Sequence, residues 1–471
     1  MPSARSKEDA NESETPLRVG MISLGCAKNL VDGETMLGHL QSGGVEVTAD
    51  ATEADVVLVN TCGFITDAKR ESIDSILEVV QAKEQGAVRR LVVTGCMAQA
   101  YAEELRREIP EIDAFVGLDE LERIGEAVRG ELEAHIPDQR GALKIYDHHN
   151  PRVLSTGGYA YLKVAEGCDN PCTFCHIPAM RGSFRSRSID DLVAEASSLE
   201  ERGVQELVLI AQDTTRYGED LDLRHGLRTL VETLLSETSI PWIRFLYAYP
   251  ATLDHGLFDL MASNPRFLPY LDIPLQHASR KVLKAMKRGG EARSYLRMIE
   301  EARGTVPDLV LRTTFIVGFP HEEEAEFGEL LDFVEQVEFD HLGVFTYSWQ
   351  EENPGSALGD SVSEEEKTAR RDAVLEMQQG IALKKNGALV GKRIPAIVSG
   401  RLAEMDLLLE GRLQRQAPEI DGRLLINDGS AAAGSLVEVE VTEAHPYDVV
   451  GRIVRVVREG RATAPLLPVV G

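Results

Sequence analysis

"EGCDNPCTFCHIPAM", residues 166–180, packs three of the chain's six cysteines into eight positions. The spacing is CxxxCxxC, from Cys168 through Cys172 to Cys175. A structural zinc site would want a fourth ligand, and a disulfide framework an even number. Three thiolates on one short loop can instead hold three irons of a cubane iron–sulfur cluster and leave the fourth iron without a protein ligand. An open coordination position is what a catalytic metal needs. The loop therefore raises two questions: what binds the open iron, and what the other three cysteines do.

The 471 residues suggest about three domains. Hydrophobic residues make up 43% of the chain, enough for several cores, and no apolar run approaches a membrane span. Residues 1–16, "MPSARSKEDANESETP", lack an apolar h-region and read as a disordered head rather than a signal peptide. A cytoplasmic chain follows, with reduced thiols, so the six cysteines point to metal or catalytic roles. The net charge of -27 repels nucleic-acid phosphates on average and attracts basic partners, although solubility alone accounts for it equally well.

Residues 17–130 alternate strand and helix: "LRVGMISLG", "ADVVLVNT", "RRLVVTG" and "AFVG" are short β-branched or apolar runs separated by amphipathic stretches. That rhythm predicts a Rossmann-like, doubly wound parallel sheet. Cys26, Cys62 and Cys96 each follow a strand and precede a helix, in "SLGCAKN", "VNTCGFI" and "VTGCMAQ". Such positions converge at the carboxyl edge of the sheet, where helix N-termini favour an anionic guest. Three buried cysteines acting as small hydrophobes are the plainer reading. Their equivalent placement favours a second three-ligand cluster.

Residues 131–155 form a linker with Pro137, Gly141 and Pro151. Residues 156–362 carry six candidate strands, "YAYLKVA", "ELVLIAQ", "IRFLYAY", "YLDIPL", "LVLRTTFIVG" and "HLGVFTY". They suggest a partial, TIM-like (β/α)6 barrel with the Cys168 loop at the carboxyl mouth of its strands. A helical connector, 363–388, leads to five short strands over 389–458, which suggest a small OB-like all-β barrel, and 459–471 is a tail.

The loop "GCDNPCTFC" resembles the signature of the radical S-adenosylmethionine (SAM) enzymes, and the three blocks in this order resemble the methylthiotransferases, with a cluster domain, a radical barrel and a TRAM domain. "SLGCAKNLVDGE", "IPAMRG", "LIAQDTTRYG", "YLDIPLQHAS" and "FTYSWQEENPGSAL" look like the branch that modifies a ribosomal protein, the RimO type. The tRNA branch, the MiaB type, usually carries "GCQMN", "VPYTRG" and "PVQSGS" instead. His176 and His321 depart from the family pattern, which has an aliphatic residue and commonly Gly there. His176 reads as a polar residue lining the cavity rather than a metal ligand.

The resemblance implies a chemistry. An unactivated C–H bond offers a general base nothing acidic, so sulfur insertion needs a radical. Cys168, Cys172 and Cys175 would hold a 4Fe–4S cluster whose open iron chelates SAM; reductive cleavage of SAM would yield the deoxyadenosyl radical that removes a substrate hydrogen. Cys26, Cys62 and Cys96 would hold a second 4Fe–4S cluster bearing the sulfur, as sulfide or polysulfide, and a second SAM would supply the methyl group. The implied substrate is the β-carbon of an aspartate in small-subunit ribosomal protein S-twelve, with a reductant such as flavodoxin or ferredoxin. Gln212 and Asp213 in "LIAQDTTRYG", Gln276 and His277 in "PLQHAS", and Gly318 in "TFIVGFP" are candidate cofactor contacts, with loop capping as the rival role of each polar residue. Arg181, Arg185 and Arg187 read either as partners of carboxylates near the cluster or as a solvated basic run.

Two rivals stand beside this reading. The first is methylthiolation of a tRNA adenosine. Residues 389–458 hold nine Lys or Arg and ten Asp or Glu, too little cation for a phosphate backbone, so tRNA is disfavoured. Glu438, Glu440 and Glu443 are instead candidate contacts to a basic ribosomal protein. The second rival, a non-catalytic iron–sulfur carrier, explains the cysteines but not the barrel.

Overall fold

Strand and helix propensities along 17–130 build an all-parallel sheet in the computed structural model, which describes residues 17–49, 51–132, 135–138, 144–402 and 405–460. The expected head, 1–16, and most of the expected tail lie outside the described residues. The strands are β1 Arg18–Ser23, β2 Glu46–Thr48, β3 Val56–Thr61, β4 Arg90–Gly95 and β5 Ala114–Val116, in the order β2-β1-β3-β4-β5. Every residue of β3 is buried, because helices cover both faces of a parallel sheet. The three-residue β2 was not apparent from the sequence. It is too short and too exposed to show a pattern.

The strand order reverses between β1 and β3, which opens a crevice at their carboxyl ends. Cys26 precedes helix Ala27–Ser42, Cys62 follows β3, and Cys96 opens helix Cys96–Glu108. Gly25 has φ +91°, and a Cβ there would sit 2.9 Å from the Cβ of Cys62. Only glycine lets the Cys26 turn and Cys62 approach so closely.

The second block continues with β6 Tyr159–Lys163, the short antiparallel pair β7 Ala165–Glu166 and β8 Arg185–Ser186, then β9 Glu206–Ile210, β10 Trp242–Phe245, β11 Tyr270–Asp272, β12 Val310–Val317 and β13 His341–Thr346. Two parallel sheets, β10-β9-β6 and β11-β12-β13, meet where Ile243 bridges Phe267 and the Ala248 N–H donates to the Asp272 carbonyl at 3.0 Å. Six strands thus curve into a partial barrel. The pair β7–β8 frames the Cys168 loop at its carboxyl mouth.

Helix Glu364–Gly387 has Ser363 as its N-cap, three glutamates in its first turn and Lys384 and Lys385 in its last, each placed to suit the helix dipole. It leads to β14 Arg393–Leu402, β15 Met405–Leu413, β16 Leu424–Asp428, β17 Leu436–Ala444 and β18 Val449–Arg458, which close into a barrel in the order β14-β15-β16-β18-β17. The fold class is mixed α/β with parallel sheets and a closed five-stranded barrel at the C-terminal end.

The turn after β15 reaches back into the amino mouth of the six-stranded barrel. Tyr159 donates to Glu419 at 2.7 Å, Tyr270 to Asp421 at 2.6 Å, and Arg244 to the Gln414 carbonyl at 3.0 Å. His341 meets the Arg415 carbonyl at 3.0 Å, and Ala417 is fully buried among the barrel's apolar side chains. Glu206, the first residue of β9, is completely buried between Arg244 and Arg412, the latter at 2.6 Å. The C-terminal barrel therefore plugs the end of the partial barrel opposite the cysteine loop.

Burial pushes the Glu206 carboxyl up, but the two guanidiniums outweigh it and hold its pKa below the ordinary 4.5. That contribution to stability is complete above pH 4.5 and is lost as pH falls through the depressed folded value. Glu206→Gln should cost about 3 kcal/mol, the scale for breaking a buried pair. Urea unfolding at neutral pH checks the cost. Repeated at falling pH, it should show the parent losing more stability than the variant.

Candidate functional site

All six cysteines line one cavity of about 410 Å³ between the amino-terminal sheet and the carboxyl mouth of the barrel. Cys26 is open to that space, Cys62 and Cys175 are half-buried, and Cys96, Cys168 and Cys172 are buried in its wall. Lys28, Asn29, Asn170, Arg181, Gln212, Tyr247 and Gln276 share the lining. Among the described residues no three His, Cys, Asp or Glu side chains converge tightly enough to hold one metal ion. A single zinc draws its thiolates to within roughly 4 Å of one another, whereas a cubane cluster gives each thiolate its own iron. Each trio offers soft ligands on neighbouring turns, and that donor set suits iron and sulfur.

A buried charge network joins the two walls. Lys163 of β6 pairs with Glu166 at 2.7 Å and with Asp32 of helix Ala27–Ser42. Arg181 pairs with Glu166 at 3.0 Å and with Asp32 at 3.1 Å, donates to Asn29 at 2.7 Å, and reaches the Cys96 sulfur at 3.3 Å. Asn29 in turn donates to the carbonyls of Leu24 and Thr61, locking the turns that carry Cys26 and Cys62. Burial opposes the Glu166 charge, but Arg181 and Lys163 hold its carboxyl well below the usual range.

The thiols divide by environment. Enclosure raises the Cys26 pKa, but the charges of Lys28 and Arg181 and the N–H groups of Asn29 and Lys28 more than reverse it, so that thiol ends below its ordinary value. Burial, reinforced by neighbouring thiols, pushes Cys62 and Cys175 up to about 12, apart from backbone donors that pull the other way. Burial also raises Cys96 and Cys168. Those four thiols, Cys62, Cys96, Cys168 and Cys175, thus resist ionising until something positive binds them.

The other expected contacts scatter. Gln212 lines the cavity and donates to Glu166. Gln276 lines it with a left-handed φ of +70°. Asp213 stands behind the wall, accepting from Asn170 at 2.7 Å and Thr215 at 2.6 Å, so it orients a lining residue. Gly318 is outside the lining, and the space its Cβ would need is taken by Lys367 of the connector helix. His277 is buried away from the cavity, where it accepts the Ser279 N–H at 2.9 Å.

Several readings are corrected. His176 does not line the cavity; its Nδ1 meets the Glu352 carbonyl at 3.0 Å. Arg181 and Arg187 are buried and carboxylate-paired, so 181–187 is no solvated run; Arg185 alone turns to backbone carbonyls. Glu438 and Glu440 face Arg455 and Arg452, each at 3.2 Å, which cancels the acidic surface expected there. His321 takes a φ of +76°, the conformation for which glycine is the easy choice.

Lys28, Asn29, Asp32, Lys163, Glu166 and Tyr247 were missed. Asn29 and Asp32 are one helical turn apart, a spacing that places them on one face. Their partners lie more than 130 positions away, and no local pattern reveals that.

Three family models match in order: the uncharacterized protein family UPF0004 over residues 18–117, the radical SAM superfamily over 162–334 and the TRAM domain over 390–454. Among solved structures, the radical S-adenosylmethionine methyltransferase TsrM from Kitasatospora setae, with cobalamin and a 4Fe–4S cluster bound, superimposes with a TM-score of 0.54. It is 15% identical and covers 73% of this chain and 77% of its own, a likeness of fold. Fold, domain order and cysteine loop define a radical SAM enzyme. The ribosomal protein uS12 methylthiotransferase RimO of Solibacter usitatus is 46% identical, covering 96% of this chain and 97% of its own. Its counterpart in Symbiobacterium thermophilum is 48% identical over 93% and 91%. The chain belongs to the RimO family of radical SAM methylthiotransferases.

Arg181→Ala would leave Asp32 and Glu166 with Lys163 as their shared cation. It should destabilise the protein by about 3–5 kcal/mol. Arg185→Ala, at a half-buried position without a carboxylate partner closer than the network, should stay within about 1 kcal/mol. Unfolding midpoints of the two variants, measured side by side, check the difference.

Proposed function

We propose that this chain methylthiolates the β-carbon of an aspartate in ribosomal protein uS12, in the cytoplasm, using two 4Fe–4S clusters and two SAM molecules. The observation that carries the reading is the convergence of both cysteine trios on one cavity. A carbon radical is short-lived, so the group that makes it and the group that delivers sulfur must face the same bound carbon. Cys168, Cys172 and Cys175 would hold the cluster that works with SAM, and Cys26, Cys62 and Cys96 the one that presents sulfide or polysulfide. When bound, these groups supply hydrogen-atom removal, sulfur and methyl; flavodoxin or ferredoxin is the class of reductant expected.

The chain's own residues do the rest. Arg181 sets the position of Cys96 and neutralises Glu166 and Asp32 beside it. Arg288, in the cavity wall, donates toward the Cys172 sulfur at 3.6 Å and to the Pro274 carbonyl at 2.8 Å, fixing one cysteine of the other trio. Gln212 and Asn170 line the cavity, with their amide N–H groups held by Glu166 and Asp213. Phe64, Phe345 and Tyr347 form an apolar wall that limits water near the reacting carbon.

Mass spectrometry of uS12 from cells with and without the gene tests the substrate: the methylthio mass should vanish without it. Changing Cys168, Cys172 and Cys175 together to Ala should leave about half the iron and abolish SAM cleavage. The same change at Cys26, Cys62 and Cys96 should leave cleavage intact and stop methylthiolation. Product at the parent's yield from the second variant would make those cysteines structural.

A further inference from the structure

Lys28 lies in the first turn of helix Ala27–Ser42, lines the cavity and is only 6% exposed. Its ammonium rests 3.3 Å from the centroid of the Tyr247 ring. Among the described residues no carboxylate pairs with it. The fully buried cations nearby have carboxylates: Lys163 and Arg181 share Asp32 and Glu166, and Arg187 holds Asp191 and Glu195, while the half-buried Arg288, over the Tyr249 ring, donates to the Pro274 carbonyl. An aromatic face attracts an ammonium but carries no net charge. A cation held away from water is costly until an anion joins it.

The seat is a built one. Tyr247 adopts a left-handed φ of +64°, and its N–H donates to Asp272 at 2.8 Å. Asp272 is also paired with Arg312 at 3.0 Å, and Arg312 approaches Asp421 of the plug at 3.4 Å. The carboxylate nearest the ring is therefore committed elsewhere, and the ring is held so that Lys28 faces the cavity. Among the described residues the chain offers Lys28 no carboxylate; the Cys26 thiol, which the ammonium draws down, is the acidic group beside it, and a ligand carboxylate in the cavity would complete the pairing.

We propose that Lys28 binds the side-chain carboxylate of the target aspartate and so fixes the adjacent β-carbon between the two cysteine trios. This rests on the uS12 reading above. The β-carbon is bonded directly to the carboxyl carbon, so holding the carboxylate places the carbon that must react. The carboxylate keeps its charge while a β C–H is replaced by C–S, so the contact lasts through the reaction and needs no proton transfer. Asparagine at the same place, or a neutral nucleobase, would leave the ammonium uncompensated. Lys28 is then the residue that makes the site specific for an acid.

The methionyl carboxylate of SAM has the same chemistry, and the test separates the two. Affinities of cluster-loaded parent, Lys28→Met and Lys28→Arg proteins would be measured for uS12, for uS12 with the target aspartate changed to asparagine, and for SAM. Cluster content and unfolding midpoint serve as folding controls. The parent should prefer the aspartate form by about tenfold or more, the scale of a charge-assisted contact. Lys28→Met should bring that ratio close to one without changing SAM affinity, and Lys28→Arg should recover part of it. An unchanged ratio in Lys28→Met overturns the proposal. So does a loss of SAM affinity with the ratio intact, which would assign the ammonium to the cofactor. A parent that binds neither form of uS12 overturns the substrate reading itself, and this inference with it.

Discussion

Four buried charges, Asp32, Lys163, Glu166 and Arg181, hold the amino-terminal domain over the mouth of the barrel. Two are cationic and two anionic, so the set is neutral, and each member has at least two partners. Buried pairs contribute little net stability against desolvation, yet losing one member strands the others. Such a set specifies geometry more than it adds strength. Here the geometry specified is the one that matters, because Arg181 also touches Cys96 and Asn29, and Glu166 sits two residues before Cys168. The network ties the turns of one cysteine trio to the loop of the other.

The opposite end of the barrel is organised by the same means. Glu206 between Arg244 and Arg412, and Asp421 near Tyr270, Arg312 and His341, seat the turn of the C-terminal barrel in the amino mouth. All six barrel strands contribute a side chain or backbone contact to that plug or to the charges around it. Access to the interior is thereby directed to the carboxyl end, where the cavity lies. The C-terminal domain is a stopper as well as a surface. A line of contacts, Asp421 to Arg312 to Asp272 to Tyr247, runs from that stopper to the ring beneath Lys28.

Much of this was legible in the sequence. The three-cysteine loop and the three cysteines at strand ends are local patterns, and local patterns survive in one dimension. The strands of all three blocks were visible as apolar or β-branched runs, apart from β2 and the two-residue pair β7 and β8. What could not be read were the contacts between blocks. Asp32 and Lys163 are 131 positions apart, and Glu206 and Arg412 are 206 apart. An acidic strand face looked free at Glu438 and Glu440, because the arginines opposite them belong to the next strand at a register the sequence does not reveal. Gly318 drew attention for its backbone freedom, but that freedom serves packing against Lys367. Lys28 lies inside "CAKN", where the tRNA branch has "CQMN", yet nothing in one dimension says that its ammonium would be left unpaired.

Because both trios line one cavity, two clusters held there must sense each other's magnetism. Electron paramagnetic resonance of the fully reduced protein measures this directly. The parent should give a spectrum split or broadened by spin–spin interaction, and each triple-cysteine variant the simpler signal of one isolated cluster. A parent spectrum equal to the plain sum of the two variants' spectra would contradict a shared cavity and, with it, a single site where radical and sulfur meet.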